Sequence, residues 1–477
     1  MRSFAIVLFG FLALLQLPPI SAEIQAGNQV KIIHTNQNHQ FAQQPFQQFK
    51  TGDVPQGSTI SMDDSQRYQI MQGFGAALTE SSAYLLYNMD DGLFWDTLNR
   101  LFNPTSGLGI NYLRLTISAC DFSLSDYTYD DLPDGQTDAN LDHFSISRDE
   151  KYMIPVLQAI KKINPNVRIM MSPWSPPAWM KTTGSIKGST NGQDSHLIKD
   201  YFPTLAKFFV KAIQAYENEG INIDTFTIQN EPLFGPGGYP GMVMDQYEQS
   251  DFLNNHLAQA LLDAGIQTKL FVYDHNWDRV DYPEYVLQNM NDQAKQVVGG
   301  AALHCYGGDV SAQSDLHKKF PNLDIYLTEC SGGDWNGDWT QSLVSDMQGI
   351  FIGNANNWGQ VTMKWNLILD QNDGPQNGGC SDCWGLLTFN TDSQEISERV
   401  DYYTVGTFSK YVPRGSVRVQ VDSNDENLLA TGFIGLDNSR TVIVMNQDDS
   451  DHQFSLNWQK KFIQVTVPAK TLAVYTW

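Results

Sequence analysis

Two glutamates end matching stretches of the chain. Glu231 closes 224–231 and Glu329 closes 323–329, each after a short apolar run with β-branched residues. Such runs predict buried strands, and because Pro232 cannot continue a central strand, we predict that the first of them ends at Glu231. Hydrolysis of a glycosidic bond needs two carboxyl groups of this kind. One gives a proton to the leaving oxygen, and the other attacks the anomeric carbon or activates a water.

The elements that would position these glutamates alternate along the chain. Helix-like stretches separate eight apolar, strand-like runs, at 69–76, 112–117, 167–171, 225–229, 269–273, 301–305, 325–328 and 361–366. This alternation predicts an α/β fold, an eight-stranded (β/α)8 TIM barrel, with a doubly wound open sheet as the alternative. In the barrel, Glu231 ends the fourth strand and Glu329 the seventh, and these two ends face each other across the mouth.

The other predicted strand ends carry polar and aromatic side chains. They are Arg114 with Asp121, Ser172-Pro173-Trp174, Asn230, Asp274-His275-Asn276-Trp277, His304-Cys305-Tyr306 and Trp365-Asn366. Indoles stack on the apolar faces of sugar rings, while amides and carboxylates bind hydroxyls, so this mixture suits a carbohydrate. Asn230, beside Glu231, is placed to hold the 2-hydroxyl of the sugar.

The chain divides into four predicted segments. Residues 1–22 resemble a secretory signal peptide, with Arg2, an apolar run and the small pair Ser21-Ala22. Residues 23–68 form an N-terminal β segment, residues 69–402 the catalytic barrel, and residues 403–477 a β-sandwich that the N-terminal segment completes. We predict that the helices end near Tyr402. A membrane anchor is the alternative for the first segment, but its run is short for a spanning helix.

The charge and composition of the chain restrict the classes of molecule that it is expected to bind. The chain has 30 basic and 53 acidic residues and a net charge of −23, which argues against nucleic acid and against anionic lipid. Since no second long apolar run occurs, we expect a secreted protein without stable membrane insertion. The negative charge does not oppose binding of a neutral substrate such as a sugar.

Five cysteines allow disulfides in an exported protein and leave at least one thiol free. Cys380 and Cys383, in one Gly-rich loop, are the expected bridge. Cys305 and Cys330 are interpreted as small apolar groups at strand ends. A zinc site would need a second closely spaced pair, which the sequence lacks.

Several motifs together resemble glycoside hydrolase family 30, the family of lysosomal glucosylceramidase and of microbial β-1,6-glucanases. They are Gln72-Gly73-Phe74-Gly75, Ser118-Ala119-Cys120-Asp121-Phe122-Ser123, Ser172-Pro173-Trp174-Ser175-Pro176-Pro177, Gln229-Asn230-Glu231-Pro232, His304-Cys305-Tyr306, Thr328-Glu329-Cys330 and Trp365-Asn366-Leu367. The resemblance runs from about residue 70 to the end.

The resemblance implies a retaining β-glycosidase without metal or cofactor. It makes Glu231 the acid/base and Glu329 the nucleophile, and it places Arg114 behind the carboxylates as a support. Around the first glucose it places Asp121, Trp174, Asn230, His304, Tyr306 and Trp365.

The loop 370–385 departs from the lysosomal enzyme, which lacks its cysteine pair, and resembles the β-1,6-glucanase branch, except that Trp384 stands where arginine is typical. Trp384 is placed to stack on a glucan or to meet a lipid chain. We expect a secreted, glucosylceramidase-like enzyme that cleaves glucosylceramide to glucose and ceramide, with an endo-β-1,6-glucanase as the alternative. A carbohydrate-binding protein without activity and a cysteine hydrolase that uses Cys330 and His304 are further alternatives.

Overall fold

A closed barrel of eight parallel strands forms the centre of the computed structural model, which describes residues 29–477. The predicted signal segment lies outside the described residues. In chain order the barrel strands are Gly73–Ala77, Tyr112–Ile117, Arg168–Pro173, Thr225–Thr227, Lys269–Asn276, Val298–His304, Asp324–Glu329 and Gly359–Asn366. Each strand pairs with the next, and the last pairs with the first, so the TIM barrel is confirmed and the open sheet is excluded.

Twelve α-helices are described, most of them on the outside of the barrel: Glu80–Tyr87, Asp91–Phe102, Met153–Ile163, Phe202–Asn218, Gln246–Phe252, Ala258–Asp263, Asp281–Gln288, Ala294–Val297, Ala312–Lys319, Trp339–Ser345, Ile352–Asn356 and Val400–Tyr411. Two π-helical turns, Leu253–Leu257 and Asp346–Phe351, join neighbouring helices. Among these described helices, none combines the length and the apolar character that a membrane crossing requires. The last helix ends at Tyr411 and not near Tyr402 as expected.

Two apolar layers hold the barrel together. Inside it, buried side chains such as Tyr112, Phe271 and Tyr326 fill the end away from the glutamates, and Phe271 stacks on Tyr326 with ring centroids 4.1 Å apart. Outside it, the buried faces of the helices pack on the strands. The packed interior leaves the carboxyl ends of the strands as the open face.

A ten-stranded sheet forms the second domain. Its order is His39–Gln48, Gln29–Asn36, Thr471–Thr476, Arg440–Asn446, Leu428–Ile434, Val417–Ser423, Ser58–Ile70, His452–Trp458, Lys461–Val467 and Lys50–Thr51. Strands from both ends of the chain share one apolar core, as predicted for the sandwich. In His452–Trp458 the buried Phe454, Leu456 and Trp458 fall at alternate positions, as the inward-facing residues of a strand do.

Candidate active site

Glu231 lies beyond the fourth barrel strand, not in it. That strand ends at Thr227, and Glu231 has a positive φ of 44°. Two backbone bonds hold the segment: Asn230 N–H donates to Pro173 O at 2.8 Å, and Glu231 N–H donates to Asp274 O at 2.9 Å. The predicted strand was too long because Asn230 and Glu231 lie outside the strand ladder and donate to these partners. The turn directs the carboxyl group into the barrel mouth.

Glu329 is the last residue of the seventh strand, as predicted, and its carboxylate accepts two hydrogen bonds. Arg114 Nη1 donates to Oε2 at 2.5 Å, and the Tyr306 hydroxyl donates to Oε1 at 2.9 Å. An oxygen of Glu329 and an oxygen of Glu231 lie within 4.8 Å of each other. The fourth and seventh strand ends therefore bring the two carboxyl groups to one point.

Arg114 is fully buried and links three strand ends. Its Nη2 donates to Asn230 Oδ1 and to Asp274 Oδ2, both at 2.8 Å. Asp274 also accepts hydroxyl hydrogen bonds from Ser172, Thr227 and Thr328. Burial alone would raise the pKa of Asp274, but Arg114, His304 and the hydroxyl of Thr328 hold it well below its usual value. Asp274 is thus a fixed negative charge beneath the site.

Asp274 was missed as a site residue. The sequence placed it at the end of the fifth strand, but nothing in its neighbours distinguished it from the other polar residues there. Its left-handed backbone, with φ of 74°, and its central position become visible only in the folded barrel.

His304 connects Asp274 to Glu231. Nε2 is 3.1 Å from Asp274 Oδ1, and Nδ1 is 3.1 Å from Glu231 Oε1. Burial would lower the pKa of His304, but the charge of Glu329 and the bonds to Asp274 and Glu231 raise it to about 9. His304 therefore brings a proton to within hydrogen-bond distance of Glu231.

The two glutamates have opposite electrostatic surroundings. Burial favours the protonated form of both. At Glu231 the hydrogen bond and charge of His304, with His275 and Arg114, overcome burial and lower the pKa. At Glu329 burial, together with the charges of Glu231 and Asp274, raises the pKa against the opposing effect of His304 and Arg114.

The predicted sugar-binding residues surround this pair. Trp174 and Trp365 stack with centroids 5.2 Å apart, and the Arg114 guanidinium lies 4.9 Å from the Trp174 ring. Asp121 is buried, and its Oδ1 has no hydrogen-bond partner. Burial, followed by the charges of Glu329 and Glu231, raises the pKa of Asp121 to about 8. The structure thus places the eight predicted site residues and Arg114 at one barrel mouth.

The cysteines correct two expectations. Cys305 and Cys330 form a disulfide between the ends of neighbouring strands, so they are not merely small apolar groups. Because Cys330 has no thiol in this state, the proposed cysteine hydrolase is wrong. Cys380 and Cys383 form the expected bridge, and Cys120 is the free, buried cysteine.

Trp384 does not serve the role expected for it. The indole is buried, its Nε1 donates to Asp401, and the Arg399 guanidinium covers its ring at 5.1 Å. With 8% of its surface exposed, it offers too little of the indole for stacking on a glucan or contact with a lipid chain. What reaches the site from this loop is Gly379, where a Cβ would stand 2.3 Å from Asp121 Cβ.

Glu231, His304 and Glu329 could offer one metal ligand each. Their atoms, however, already have partners in Arg114, Tyr306 and Asp274, and the Arg114 charge would repel a cation. The arrangement suits proton transfer and attack on carbon better than metal binding.

Comparison with known proteins agrees with this geometry. Residues 71–412 match the glycosyl hydrolase family 30 TIM-barrel domain, and residues 415–475 match the family's beta sandwich domain. The chain is 34% identical over 415 residues to endo-1,6-beta-D-glucanase neg1 of Aspergillus fumigatus, which covers 82% of each protein. It is 27% identical over 448 residues to lysosomal acid glucosylceramidase of Mus musculus, covering 88% of this chain and 84% of that protein.

A solved structure, the endo-beta1,6-glucanase BT3312, superposes with a TM-score of 0.84 at 30% identity and covers 94% of this chain and 99% of that chain. Since the barrel-domain match spans well over half of the sequence and includes both glutamates, the protein is a glycoside hydrolase that belongs to glycosyl hydrolase family 30.

Proposed function

We propose that the protein is an endo-β-1,6-glucanase that retains anomeric configuration, with Glu329 as nucleophile and Glu231 as acid/base. The observation that carries the mechanism is the approach of the two carboxyl groups to within 4.8 Å. Inverting enzymes separate theirs by about 6.5–9.5 Å to admit a water, while retaining enzymes hold them about 5–5.5 Å apart. The short separation supports direct attack by a carboxylate.

The hydrogen bonds support the assignment of roles. Burial and the charge of Glu231 raise the pKa of Glu329, but Arg114 and Tyr306 both donate to its carboxylate and so oppose that rise in favour of the ionised form that a nucleophile needs. Glu231 instead shares a hydrogen bond with His304. Movement of the proton from Nδ1 to Oε1 makes Glu231 an acid without changing the charge of the pair. Asp274 holds the other ring nitrogen throughout.

In the first step, a Glu329 oxygen forms a bond to the anomeric carbon, the glycosidic bond breaks, and Glu231 gives its proton to the leaving oxygen. In the second step, a water attacks the same carbon, Glu231 takes a proton from that water, and the bond to Glu329 breaks. Two displacements restore the original configuration.

The surrounding residues favour binding of one glucose unit. Arg114 donates to the amide oxygen of Asn230, which leaves the Nδ2 amide for the 2-hydroxyl. Asp121 supplies a buried carboxyl group whose Oδ1 lacks a partner in the protein, so a sugar hydroxyl can bind it. The paired indoles of Trp174 and Trp365 provide an apolar wall.

Two observations favour a β-1,6-glucan as the substrate: the higher identity to glucanases and the polar loop at the rim of the site. The sequence favoured a glucosylceramidase-like enzyme, but the glucanase relatives named above are more similar to this chain than the glucosylceramidase is. The rim loop is polar: Asn377 N–H donates to Asp121 O at 2.6 Å, and its side chain donates to Asp126 at 2.7 Å. A hydroxyl-rich glucan suits such a rim better than a ceramide does.

The test combines a substrate panel with variants. Purified protein is assayed on a β-1,6-glucan, a β-1,3-glucan and glucosylceramide, with the anomer of the first product followed by NMR. We expect internal cleavage of the β-1,6-glucan with a β-anomeric product. Release of ceramide without glucan cleavage would show that a β-1,6-glucan is not the substrate. An α-anomeric first product would show that the mechanism is not retaining.

Glu329→Gln and Glu231→Gln separate the roles, with the surface variant Glu284→Gln as the control. Each active-site variant should lose at least a thousandfold in kcat, as expected where a nucleophile or an acid is removed. Added azide should restore turnover in Glu231→Ala and give a β-glycosyl azide, because the small anion then attacks the glycosyl intermediate. If azide instead restored turnover in Glu329→Ala and gave a β-glycosyl azide, Glu329 would be the acid/base and Glu231 the nucleophile.

We also propose that the protein is secreted. The N-terminal segment supports this, with its positive residue, apolar run and small residues before position 23. Mass spectrometry of protein from the culture medium should give a mature N-terminus near Ala22. An intact Met1 in exported protein would contradict the proposal.

A further inference from the structure

A long connection after the second barrel strand carries a side-chain cluster that the proposed reaction does not use. Residues 118–148 contain no described helix or strand. In this connection Asp130, Asp138 and His143 each offer one ligand atom, and the three atoms lie within 4.8 Å of one another. Loops of this length without secondary structure are uncommon in compact domains unless they are functional.

Asp130 is the unusual member. Its exposed fraction is 1%, and neither of its carboxylate oxygens has a hydrogen-bond partner. An ionised carboxylate removed from water without a partner is costly, and buried polar groups are nearly always satisfied. One of these oxygens is directed toward Asp138 and His143. Among residues 29–477, no hydrogen-bond donor is paired with this carboxylate. We therefore expect a cation from solution to bind it.

The charged side chains near Asp130 already have other partners. The Asp138 side chain is also buried, and its Oδ2 lies 2.9 Å from His143 Nδ1. Asp131 is already occupied, since both of its oxygens accept bonds from Thr128. The Lys211 ammonium donates to Leu141 O at 2.8 Å. Two neighbouring buried carboxylates thus face one imidazole, whose side chain is 69% exposed and opens the cluster to solvent.

We propose that Asp130, Asp138 and His143 bind one divalent transition-metal ion, which links two parts of the connection to each other. Two carboxylate oxygens and one imidazole nitrogen form a ligand set that Zn²⁺ and Mn²⁺ accept, with water completing the coordination. An ion here would neutralise both buried carboxylates. The cysteine spacing in the sequence argued only against a cysteine-rich zinc site, and the resemblance implied no metal for the reaction; the ligand set proposed here contains no cysteine and lies outside the reaction site.

An ion bound to Asp130, Asp138 and His143 would also support the sugar site. The Asp130 carbonyl accepts a hydrogen bond from Trp179 Nε1 at 3.0 Å, in the segment that follows Trp174. Ser145 N–H donates to Tyr129 O at 2.7 Å, which ties the two halves of the connection together. Closing a long loop with an ion lowers its conformational freedom. The same connection carries Asp121.

The experiment measures binding directly. The full chain is treated with EDTA, dialysed and titrated with ZnCl2 by calorimetry, with metal content measured before and after. We expect one Zn²⁺ per chain and, at a hundredfold excess over Kd, a rise in Tm of about 3 °C. Asp130→Asn and His143→Ala should each weaken Zn²⁺ binding at least tenfold, as loss of a ligand does.

Two further measurements keep the result decisive. Asp131→Asn, whose carboxylate belongs to a neighbouring turn, should bind Zn²⁺ as the wild type does. Without metal, Asp130→Asn should melt no lower than the wild type, because it removes a buried unpaired charge, whereas with Zn²⁺ it should melt lower. The proposal is overturned if the wild type binds no Zn²⁺, if His143→Ala keeps wild-type affinity, or if Ca²⁺ binds more tightly than Zn²⁺.

Discussion

Replacing Arg114 by glutamine should destabilise the protein in a pH-dependent way. The substitution removes the cation from Asp274, which is fully buried, and from Glu329. Loss of one partner from a buried ion pair costs about 3–5 kcal/mol. For a chain of this size, that cost corresponds to a fall in Tm of about 3–5 °C.

The sign of the pH dependence follows from the two carboxyl groups. The lowered pKa of Asp274 contributes stability that is present above its ordinary pKa and is lost as pH falls through the lowered value. Without Arg114, burial raises the pKa of Asp274 above its ordinary value, so the variant loses stability as pH rises above about 4 while the wild type does not, and the difference between them widens. Glu329 acts in the same direction, because its charged form also loses a partner.

Calorimetry at pH 4 and pH 7.5 provides the assay, and Arg418→Gln provides the matched control. Arg418 is also buried, but it donates to Gln69 and covers the Tyr68 ring, and burial lowers its pKa to about 10. Its loss should lower Tm without a comparable pH dependence. An equal fall in Tm for Arg114→Gln at both pH values would refute the electrostatic reasoning.

Three further predictions concern two single residues and one disulfide. His304→Gln should move the alkaline limb of the kcat/KM profile to lower pH by about one unit or more, because Glu231 would lose a partner whose pKa is about 9; an unchanged limb would show that His304 does not share the acidic proton. Asp121→Asn should raise Tm relative to the wild type as pH rises from 4 to 8, since the raised pKa of Asp121 gives stability that is lost through about pH 8; an equal Tm difference at both pH values would contradict this. Replacing Cys380 and Cys383 by serine should leave Tm within about 2 °C, because the bridged loop is very short, but should raise KM for the glucan; a large loss of Tm with unchanged KM would reverse the interpretation.

The barrel was predictable because its signals are local. Tyr112–Ile117 is a fully buried strand that is apolar at four of its six positions, and the helix Glu80–Tyr87 is preceded by the capping residue Thr79. The order of strands in a closed parallel barrel then placed Glu231 and Glu329 opposite each other. Periodicity and topology together were therefore enough to bring the two carboxyl groups together.

What the sequence did not predict depends on contacts between distant segments. The Cys305–Cys330 bridge requires two neighbouring strand ends to be seen in space. Trp384 reads as an exposed aromatic in a polar loop, yet Asp401 and Arg399, which bury it, lie more than a dozen residues away. Asp274 acquires its role only where several strands converge. No window of sequence contains that information.

The pairing of the first described strand with the last has a consequence for biosynthesis. Gln29–Asn36 forms hydrogen bonds with Thr471–Thr476, so the earliest of the described strands to leave the ribosome must wait for Thr471–Thr476 before this edge is covered. The barrel, whose neighbouring strands follow one another along the chain, can close while that edge is still open. Emergence of Thr471–Thr476 is thus the event that covers this edge of the second domain, and a deletion of that strand would leave the edge of Gln29–Asn36 free to pair with another chain.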